Sequence, residues 1–221
     1  MSILGRKIGE DQVFASLSAS GELADLMNEA LDRDNADPLI QNDRSVISVS
    51  DARVRSGESV RRSDASVRDL ENLKALVGQV GEFYVYHWLK RLGLESFDQE
   101  CWISSNRTAF LGCEDGDDAA GFDFKIIDTE GKLSGRRDAP IMLLEVKSKF
   151  GPDDGRFFIT AGEWETAMEA SRNPNEEYWI IVVEGVGDSP RITQFIKDPY
   201  QLSVERKVVF EHRVLSMRVA T

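Results

Sequence analysis

No other segment of this chain restricts its possible folds as much as residues 141–149. The apolar residues Ile141–Leu144 are typical of a buried strand, yet they lead directly into a charged stretch. Alternation along a strand places Glu145, Lys147 and Lys149 on one face and the apolar residues between them on the other. Burying a carboxylate beside an ammonium is costly unless the groups pair or bind an ion. The segment therefore predicts a strand that ends in a charged site.

A long amphipathic helix is predicted from about Ala65 to Leu92, with Gly93 as its stop. Its apolar residues recur at three- and four-residue steps: Val67, Leu70, Leu73, Val77, Val80 and Tyr84. Gly78 and Gly81 share a face with Glu82, although a glycine inside a helix costs about 1 kcal/mol relative to alanine. We interpret this face as one that packs closely against another element, with Glu82 pointing the same way.

The remaining pattern alternates strands with one more helix. Strands are predicted at Cys101–Ser104, Phe122–Ile127, Ile141–Ser148, Arg156–Thr160, Tyr178–Glu184, Arg191–Ile196 and Lys207–Val214. The first four read as a β-meander. A helix follows through Arg172, with Thr160 and Glu163 forming a capping box. The order predicts an α+β fold, a mixed α/β sandwich in which helices flank a mixed β-sheet.

Two regions are predicted along the chain. Residues 1–65 hold one helix-like stretch near 12–33, and then a stretch rich in Asp, Ser and Arg that is typical of a linker. Residues 66–221 hold the predicted core domain. We expect the N-terminal segment to serve a partner protein or a homo-oligomer and not to be part of the core.

Charge argues against a broad nucleic-acid surface, because 27 Lys and Arg stand against 39 Asp and Glu, for a net charge of −12. Contacts to nucleic acid would then come from local basic residues near the site. The candidates are Lys149, Arg136, Arg137 and Arg156. Arg136 and Arg137 lie in a Gly-flanked loop that could touch a phosphate backbone, and a solvated loop is the equally acceptable alternative.

Other classes of site receive little support. The two cysteines, Cys101 and Cys113, and the two histidines, His87 and His212, do not have the spacing of a zinc site. No apolar run approaches the roughly 20 residues that a membrane helix needs. We expect a cytoplasmic protein with reduced thiols and no membrane contact.

A second carboxylate completes the predicted site. Asp123 precedes Glu145 by 22 positions, within the sequence Gly-Phe-Asp-Phe. If the two strands are antiparallel, both carboxylates meet at one edge and offer oxygen ligands of the kind that Mg²⁺ or Mn²⁺ prefers. Lys147 would then orient the water that attacks a phosphodiester. The alternative is that Glu145 and Lys147 form only a surface ion pair, worth under about 1 kcal/mol.

The pattern D-x₂₁-E-x-K after a helix that carries a glutamate resembles the PD-(D/E)XK phosphodiesterase superfamily. A longer resemblance, over about 77–199, is to the NO VEIN C-terminal domain family, which is met in restriction and phage-defence proteins. It rests on Gly81-Glu82-Phe83-Tyr84-Val85-Tyr86, Trp102, Gly121-Phe122-Asp123, Leu144-Glu145-Val146-Lys147-Ser148, Glu163-Trp164, Tyr178 and Asp198-Pro199.

These resemblances imply a restriction-endonuclease-like core. They place Asp123, Glu145 and Lys147 in the active-site positions, with Glu82 as an auxiliary acidic residue and metal ligand. The chain departs from the superfamily in having Gly-Phe-Asp where a proline precedes the aspartate. It also crowds the approach to that aspartate with the acidic residues Glu114, Asp115, Asp117 and Asp118.

The predicted function is Mg²⁺- or Mn²⁺-dependent hydrolysis of nucleic acid, with DNA as the expected substrate, in a restriction or phage-defence setting. The alternative is a catalytically inactive nuclease-fold module that binds protein or nucleic acid in a larger complex. The acidic balance favours the alternative. The intact set of Asp123, Glu145 and Lys147 favours the enzyme, because a binding module does not need two carboxylates beside a lysine.

Overall fold

The computed structural model describes residues 2–3, 6–7, 22–34, 47–50, 64–113, 116–151 and 156–212. Its helices are α1 (Glu22–Arg33), α2 (Asp64–Arg91), α3 (Asn106–Leu111), α4 (Ala161–Arg172) and α5 (Pro199–Val204). Its strands are β1 (Ser2–Ile3), β2 (Arg6–Lys7), β3 (Ile47–Ser50), β4 (Phe124–Ile127), β5 (Ile141–Ser148), β6 (Arg156–Phe157), β7 (Glu176–Glu184), β8 (Arg191–Lys197) and β9 (Val208–His212). Within these ranges, no helix is both long enough and apolar enough to cross a membrane.

A four-stranded mixed sheet, in the order β4-β5-β7-β8, forms the centre of the fold. β4 and β5 are antiparallel, β5 and β7 are parallel, and β7 and β8 are antiparallel. Helix α4 makes the crossover that a parallel pair of strands requires. Two small sheets, β1-β2 and β6-β3-β9, are not hydrogen-bonded to this one. The predicted α+β class is confirmed.

The predicted β-meander is wrong in two places. Residues Gln99–Cys101 form a 3₁₀ turn, and Trp102 makes a single bridge to Phe124 instead of belonging to a strand. β6 pairs with β3 and not with β5, which leaves the place beside β5 to β7. A meander pairs consecutive strands, but here the helix between β5 and β7 brings a later strand in beside β5.

Helices cover both faces of the sheet, so β7 is buried on both sides. One apolar cluster joins α1 and α2 to the sheet and includes Tyr84, Leu89, Trp102, Phe124, Leu144, Val146, Trp179 and Ile181. The other lies under α4 and includes Leu143, Ala167, Ala170, Tyr178, Ile180 and Val182. Burial of alternate residues on opposite faces explains the continuous apolar run in β7. By the same alternation, Glu145 and Lys147 share the face of Leu143, which α4 covers.

Helix α2 begins and ends within one residue of the prediction, and Gly93 follows it with a positive φ of 61°. Close packing is confirmed at Gly81, where an added Cβ would overlap the Ser148 hydroxyl and lie 2.6 Å from its Cβ. Close packing is not found at Gly78, where an added Cβ would meet nothing within 4 Å. The helix that carries Glu82 therefore lies directly against the end of β5.

Helix α1 belongs to the packed core, although it lies within the predicted N-terminal segment. Met27, Ala30 and Leu31 are buried in the cluster that includes α2. The next residue after the helix, Asp34, accepts hydrogen bonds from the Tyr84 hydroxyl and the Ile192 amide, both at 2.8 Å. The predicted boundary at residue 65 therefore does not separate α1 from the core. Residues 12–21 of the predicted helix lie outside the described residues.

Candidate active site

Asp123 immediately precedes β4, which begins two residues later than the predicted strand, and Glu145 lies on the neighbouring β5. β4 and β5 are antiparallel, with Phe124 opposite Leu144, so the register extended by one residue places Asp123 across from Glu145. The Asp123 amide donates to the Leu144 carbonyl at 2.8 Å, and its Oδ2 accepts from the Val146 amide at 2.7 Å. Side chains directly opposite on a sheet face each other, so the two carboxylates share one site.

The turn before Asp123 depends on Gly121. Its φ is 78°, a left-handed conformation that favours glycine, and an added Cβ would overlap Thr166 Oγ1 and lie 3.0 Å from the Gly162 carbonyl. The Gly121 carbonyl accepts from the buried Tyr178 hydroxyl at 2.9 Å. The aspartate is thus held against both α4 and β7, and Tyr178 supports the backbone of the site.

Lys147 lies between two carboxylates. Its Nζ is 2.8 Å from Glu145 Oε1 and 2.7 Å from Glu163 Oε2. The capping box predicted for α4 is confirmed, because Glu163 accepts from the Thr160 amide while Thr160 accepts from the Glu163 amide. The sequence pattern indicated only the cap. The contact with Lys147 depends on how α4 crosses the sheet, so no local motif could have revealed it.

Glu82 of α2 is buried and points into the site, not into solvent. Its Oε2 accepts from Trp102 Nε1 at 2.9 Å and from the Ser104 hydroxyl, and its Oε1 accepts from the Asn106 side-chain amide. No sequence pattern indicated that these three side chains donate to Glu82. The same stretch reaches Asp123, whose carbonyl accepts from the Ile103 amide at 2.7 Å. Glu82 therefore braces the segment that lies against Asp123.

These side chains surround a cavity of about 360 Å³. It is lined by Glu82, Ser104, Ser105, Asn106, Asp118, Ala119, Gly121, Phe122, Asp123, Glu145, Thr160, Gly162 and Glu163. Five of these lining residues are acidic and none is Lys or Arg. Asp118, one of the acidic residues expected near the approach, is held by the Ser105 amide and hydroxyl, both at 2.8 Å. Glu114 and Asp115 lie outside the described residues.

Burial and mutual repulsion shift the pKa values of the carboxylates upward. Burial, with the nearby charges of Glu145 and Glu82, holds the pKa of Asp123 well above its ordinary value of 3.8. Burial raises the pKa of Glu145 against the opposing charge of Lys147, and it also raises the pKa of Glu82. Each group is ionised only at a cost that a neighbouring cation would offset.

For the pKa of Lys147, the charges of its neighbours outweigh the effect of burial. Burial alone would lower the pKa of its ammonium, but the charges of Glu145 and Glu163 outweigh burial and raise that pKa. The lysine therefore remains protonated at neutral pH. It can donate hydrogen bonds, but it cannot accept a proton from water.

Metal ligation remains a prediction. Over the described ranges, no group of three or more His, Cys, Asp and Glu side chains is arranged to hold a metal ion. Asp123 and Glu145 supply a pair of hard oxygen donors across the two strands. Glu82 lines the same cavity, but its oxygens already accept hydrogen bonds.

The structure buries one of the predicted nucleic-acid contacts and places two others away from the cavity. Lys149 is buried, 9% exposed. Arg136 and Arg137 lie in the loop that joins the far ends of β4 and β5, not near Glu145 as expected. Arg136 contacts the carboxylates of Asp138 and Glu177. The side chain of Arg156 lies outside the described residues.

The comparisons with known proteins agree with one part of the resemblance. No match was found among curated proteins or among solved structures. Residues 103–195 match the family model described as Protein NO VEIN, C-terminal. The match includes Asp123, Glu145, Lys147 and Glu163 and begins after Glu82. This central part of the chain is thus similar to the NO VEIN C-terminal family, as the sequence predicted.

Proposed function

We propose that this protein is a metal-dependent endonuclease of the PD-(D/E)XK type with a restriction-endonuclease-like core. It hydrolyses phosphodiester bonds in nucleic acid, with DNA as the expected substrate, in a restriction or phage-defence setting. One observation carries the proposal: Asp123 lies across from Glu145 at a single cavity, and Glu145 is paired with the partly buried ammonium of Lys147. A purely structural sheet edge has no use for that combination.

The donor set fits Mg²⁺ or Mn²⁺. Carboxylate oxygens are the ligands that these hard cations prefer, and Asp123 and Glu145 would hold the ion. Burial and mutual repulsion raise the pKa of both carboxylates, although Lys147 partly offsets this at Glu145, so added positive charge would favour their ionised forms. A bound divalent ion supplies the positive charge that acidifies water and stabilises a phosphorane-like transition state.

Lys147 would act by electrostatics and by hydrogen bonding. Since its ammonium stays protonated, it can donate its remaining N–H to the attacking water or to a non-bridging phosphate oxygen. Water attacks phosphorus, the bond to the leaving ester oxygen breaks, and that oxygen gains a proton. The proton lost by water passes to a carboxylate or to solvent, since Lys147 cannot take it.

Two substitutions test this function. Lys147→Ala should abolish cleavage but spare Mn²⁺ binding, whereas Asp123→Ala should remove both, because Asp123 is a proposed metal ligand and Lys147 is not. Cleavage is assayed on plasmid, single-stranded DNA and RNA with each metal, and binding is measured by calorimetry. Absence of cleavage on every substrate, together with no metal binding by the wild-type protein, would reject the nuclease.

The inactive nuclease-fold scaffold is the second candidate. It is favoured by the acidic lining of the cavity, which contains no Lys or Arg among the described lining residues, and by the net charge of −12. Such a lining repels a phosphate backbone unless cations are present. In this case Asp123→Ala would leave binding of any protein or nucleic-acid partner unchanged, which a pull-down or gel-shift comparison with the wild type measures.

A further inference from the structure

We propose that Glu163 is a positioning residue that holds the Lys147 ammonium in the site when Glu145 turns its charge to a divalent cation. This role rests on the proposed function, because it requires Glu145 to act as a metal ligand. It differs from the capping role that the sequence indicates for Glu163. The proposal concerns how Lys147 stays in place when Glu145, one of its two partners, binds a cation instead.

The geometry gives Lys147 two partners where one would complete an ion pair. Its Nζ lies 2.8 Å from Glu145 and 2.7 Å from Glu163, and the three side chains are 15%, 8% and 14% exposed. An ammonium has three N–H donors. Two reach these carboxylates, which leaves one for water or phosphate.

Metal binding is expected to weaken the contact between Lys147 and Glu145, because the divalent cation and the ammonium compete for the Glu145 carboxylate. Like charges at short separation repel strongly in a partly dry site. If Glu145 were the only partner, metal binding would leave Lys147 buried and unpaired, which is costly. The carboxylate of Glu163 removes that cost and so favours metal binding.

Glu163 can hold the lysine because helix α4 fixes its position. The oxygen that contacts Lys147 also accepts from the Thr160 amide at 3.0 Å. The helix is attached to the site a second time, where Thr166 Oγ1 donates to the Ala120 carbonyl at 3.4 Å. The side chain is thus anchored independently of any metal.

Glu163→Gln separates the two roles of the residue. Glutamine also completes a capping box, so the helix cap is kept, but it carries no charge to hold an ammonium. Thr160→Ala is the matched control, since it removes the hydroxyl that accepts from the Glu163 amide and leaves the Glu163 carboxylate in place. Thermal unfolding should therefore change more in Thr160→Ala than in Glu163→Gln.

The deciding measurement is a double-mutant cycle of Mn²⁺ affinity by calorimetry, using the full chain. Wild type, Glu163→Gln, Lys147→Met and the double variant are compared. We expect Glu163→Gln to weaken Mn²⁺ binding on the order of tenfold when Lys147 is present, and by much less when it is absent. In cleavage assays, kcat should fall while KM changes little, and Thr160→Ala should keep wild-type Mn²⁺ affinity.

Several outcomes would overturn the role. Equal weakening with and without Lys147 would mean that Glu163 acts only through its own charge on the cation. Unchanged affinity in Glu163→Gln, with lost stability, would leave only the cap. If Glu163→Gln does not fold, Glu163→Asp replaces it, because the shorter carboxylate keeps the charge but does not reach Lys147, and the same cycle applies.

The cycle also separates this inference from the proposed function. A protein that binds Mn²⁺ with the expected coupling but cleaves no nucleic acid would refute the nuclease and support the role of Glu163. Cleavage without the coupling would refute only the role of Glu163. A wild-type protein that binds no Mn²⁺ would refute both.

Discussion

Two aspartates at opposite ends of β4, one partly and one fully buried, have contrasting surroundings. Asp128, fully buried, accepts from the amides of Lys132, Leu133 and Ser134 and from the Ser134 hydroxyl, at 2.8 to 3.0 Å. Asp123 accepts from the Val146 amide, and its other close neighbours include the carboxylates of Glu145 and Glu82. One aspartate is surrounded by donors and the other largely by acids.

The difference distinguishes a structural carboxylate from one prepared for a ligand. Four donors replace the water that Asp128 loses on burial, so its loop gains a fixed shape. At Asp123 that compensation is incomplete, and burial raises the pKa instead. Burial alone therefore does not identify a functional carboxylate. The kind of neighbour does.

The largest expected effect is on chemistry. Asp123→Asn should lower kcat/KM for nucleic acid by at least about a thousandfold, equivalent to about 4 kcal/mol, because it removes a proposed metal ligand. Asp128→Asn should leave kcat of the folded fraction near wild type. Initial cleavage rates with Mn²⁺, normalised to folded protein, make the comparison. An active Asp123→Asn variant would show that the acidic site is not catalytic.

The second effect is on the stability of the fold, and here the substitution of Asp128 should matter more than that of Asp123. Asp128→Asn should destabilise the fold by about 2–3 kcal/mol, because an amide NH₂ would face donors that it cannot satisfy. Asp123→Asn keeps an oxygen for the Val146 amide and should destabilise little or not at all. Urea unfolding at pH 7 measures both. If both substitutions lowered the free energy of unfolding equally, Asp128 and Asp123 would not differ in their structural role.

A smaller effect concerns pH. The pKa of Asp123 is raised on folding, so between its ordinary value of 3.8 and its folded value the unfolded chain releases a proton that the folded chain retains. The stability of the wild type relative to Asp123→Asn should therefore fall as pH rises through that window and stay low above it. Unfolding at several values from pH 4 to 8 would show the trend. A flat difference would contradict it.

The smallest effect is expected at an aspartate with two donors. Asp34 accepts from the Tyr84 hydroxyl and the Ile192 amide through one oxygen, and it is only half-buried. Asp34→Asn should cost about 1 kcal/mol, less than Asp128→Asn, because the amide keeps an oxygen for these donors. The same urea series ranks the two variants. A larger loss at Asp34 would mean that the number of donors does not set the effect.

Patterns within one strand could be predicted from the sequence. Alternation placed Glu145 and Lys147 on one face, and the apolar run of β7 was predicted to be buried. The antiparallel pairing that brings Asp123 to Glu145 was a condition of the predicted site, and the structure meets it. These features depend on neighbouring residues, so periodicity reveals them.

Features that depend on the path of the chain were not accessible. The contact between Glu163 and Lys147 requires α4 to cross from β5 to β7. The packing of Met27 and Leu31 was hidden because their helix is followed by a stretch with the composition of a linker. Arg136 was expected near the site because of its charge, but strand direction puts its loop at the other end of the sheet.

The contact between Gly81 and Ser148 has a genetic consequence. An alanine at position 81 would overlap the serine hydroxyl and lie 2.6 Å from the serine Cβ, but 3.8 Å from its Cα, which is an ordinary contact. Gly81→Ala should therefore be a loss-of-function allele. A second-site change of Ser148→Gly should suppress it, whereas Ser148→Ala, which keeps the Cβ, should not. Helix and strand would then evolve as a pair at these two positions.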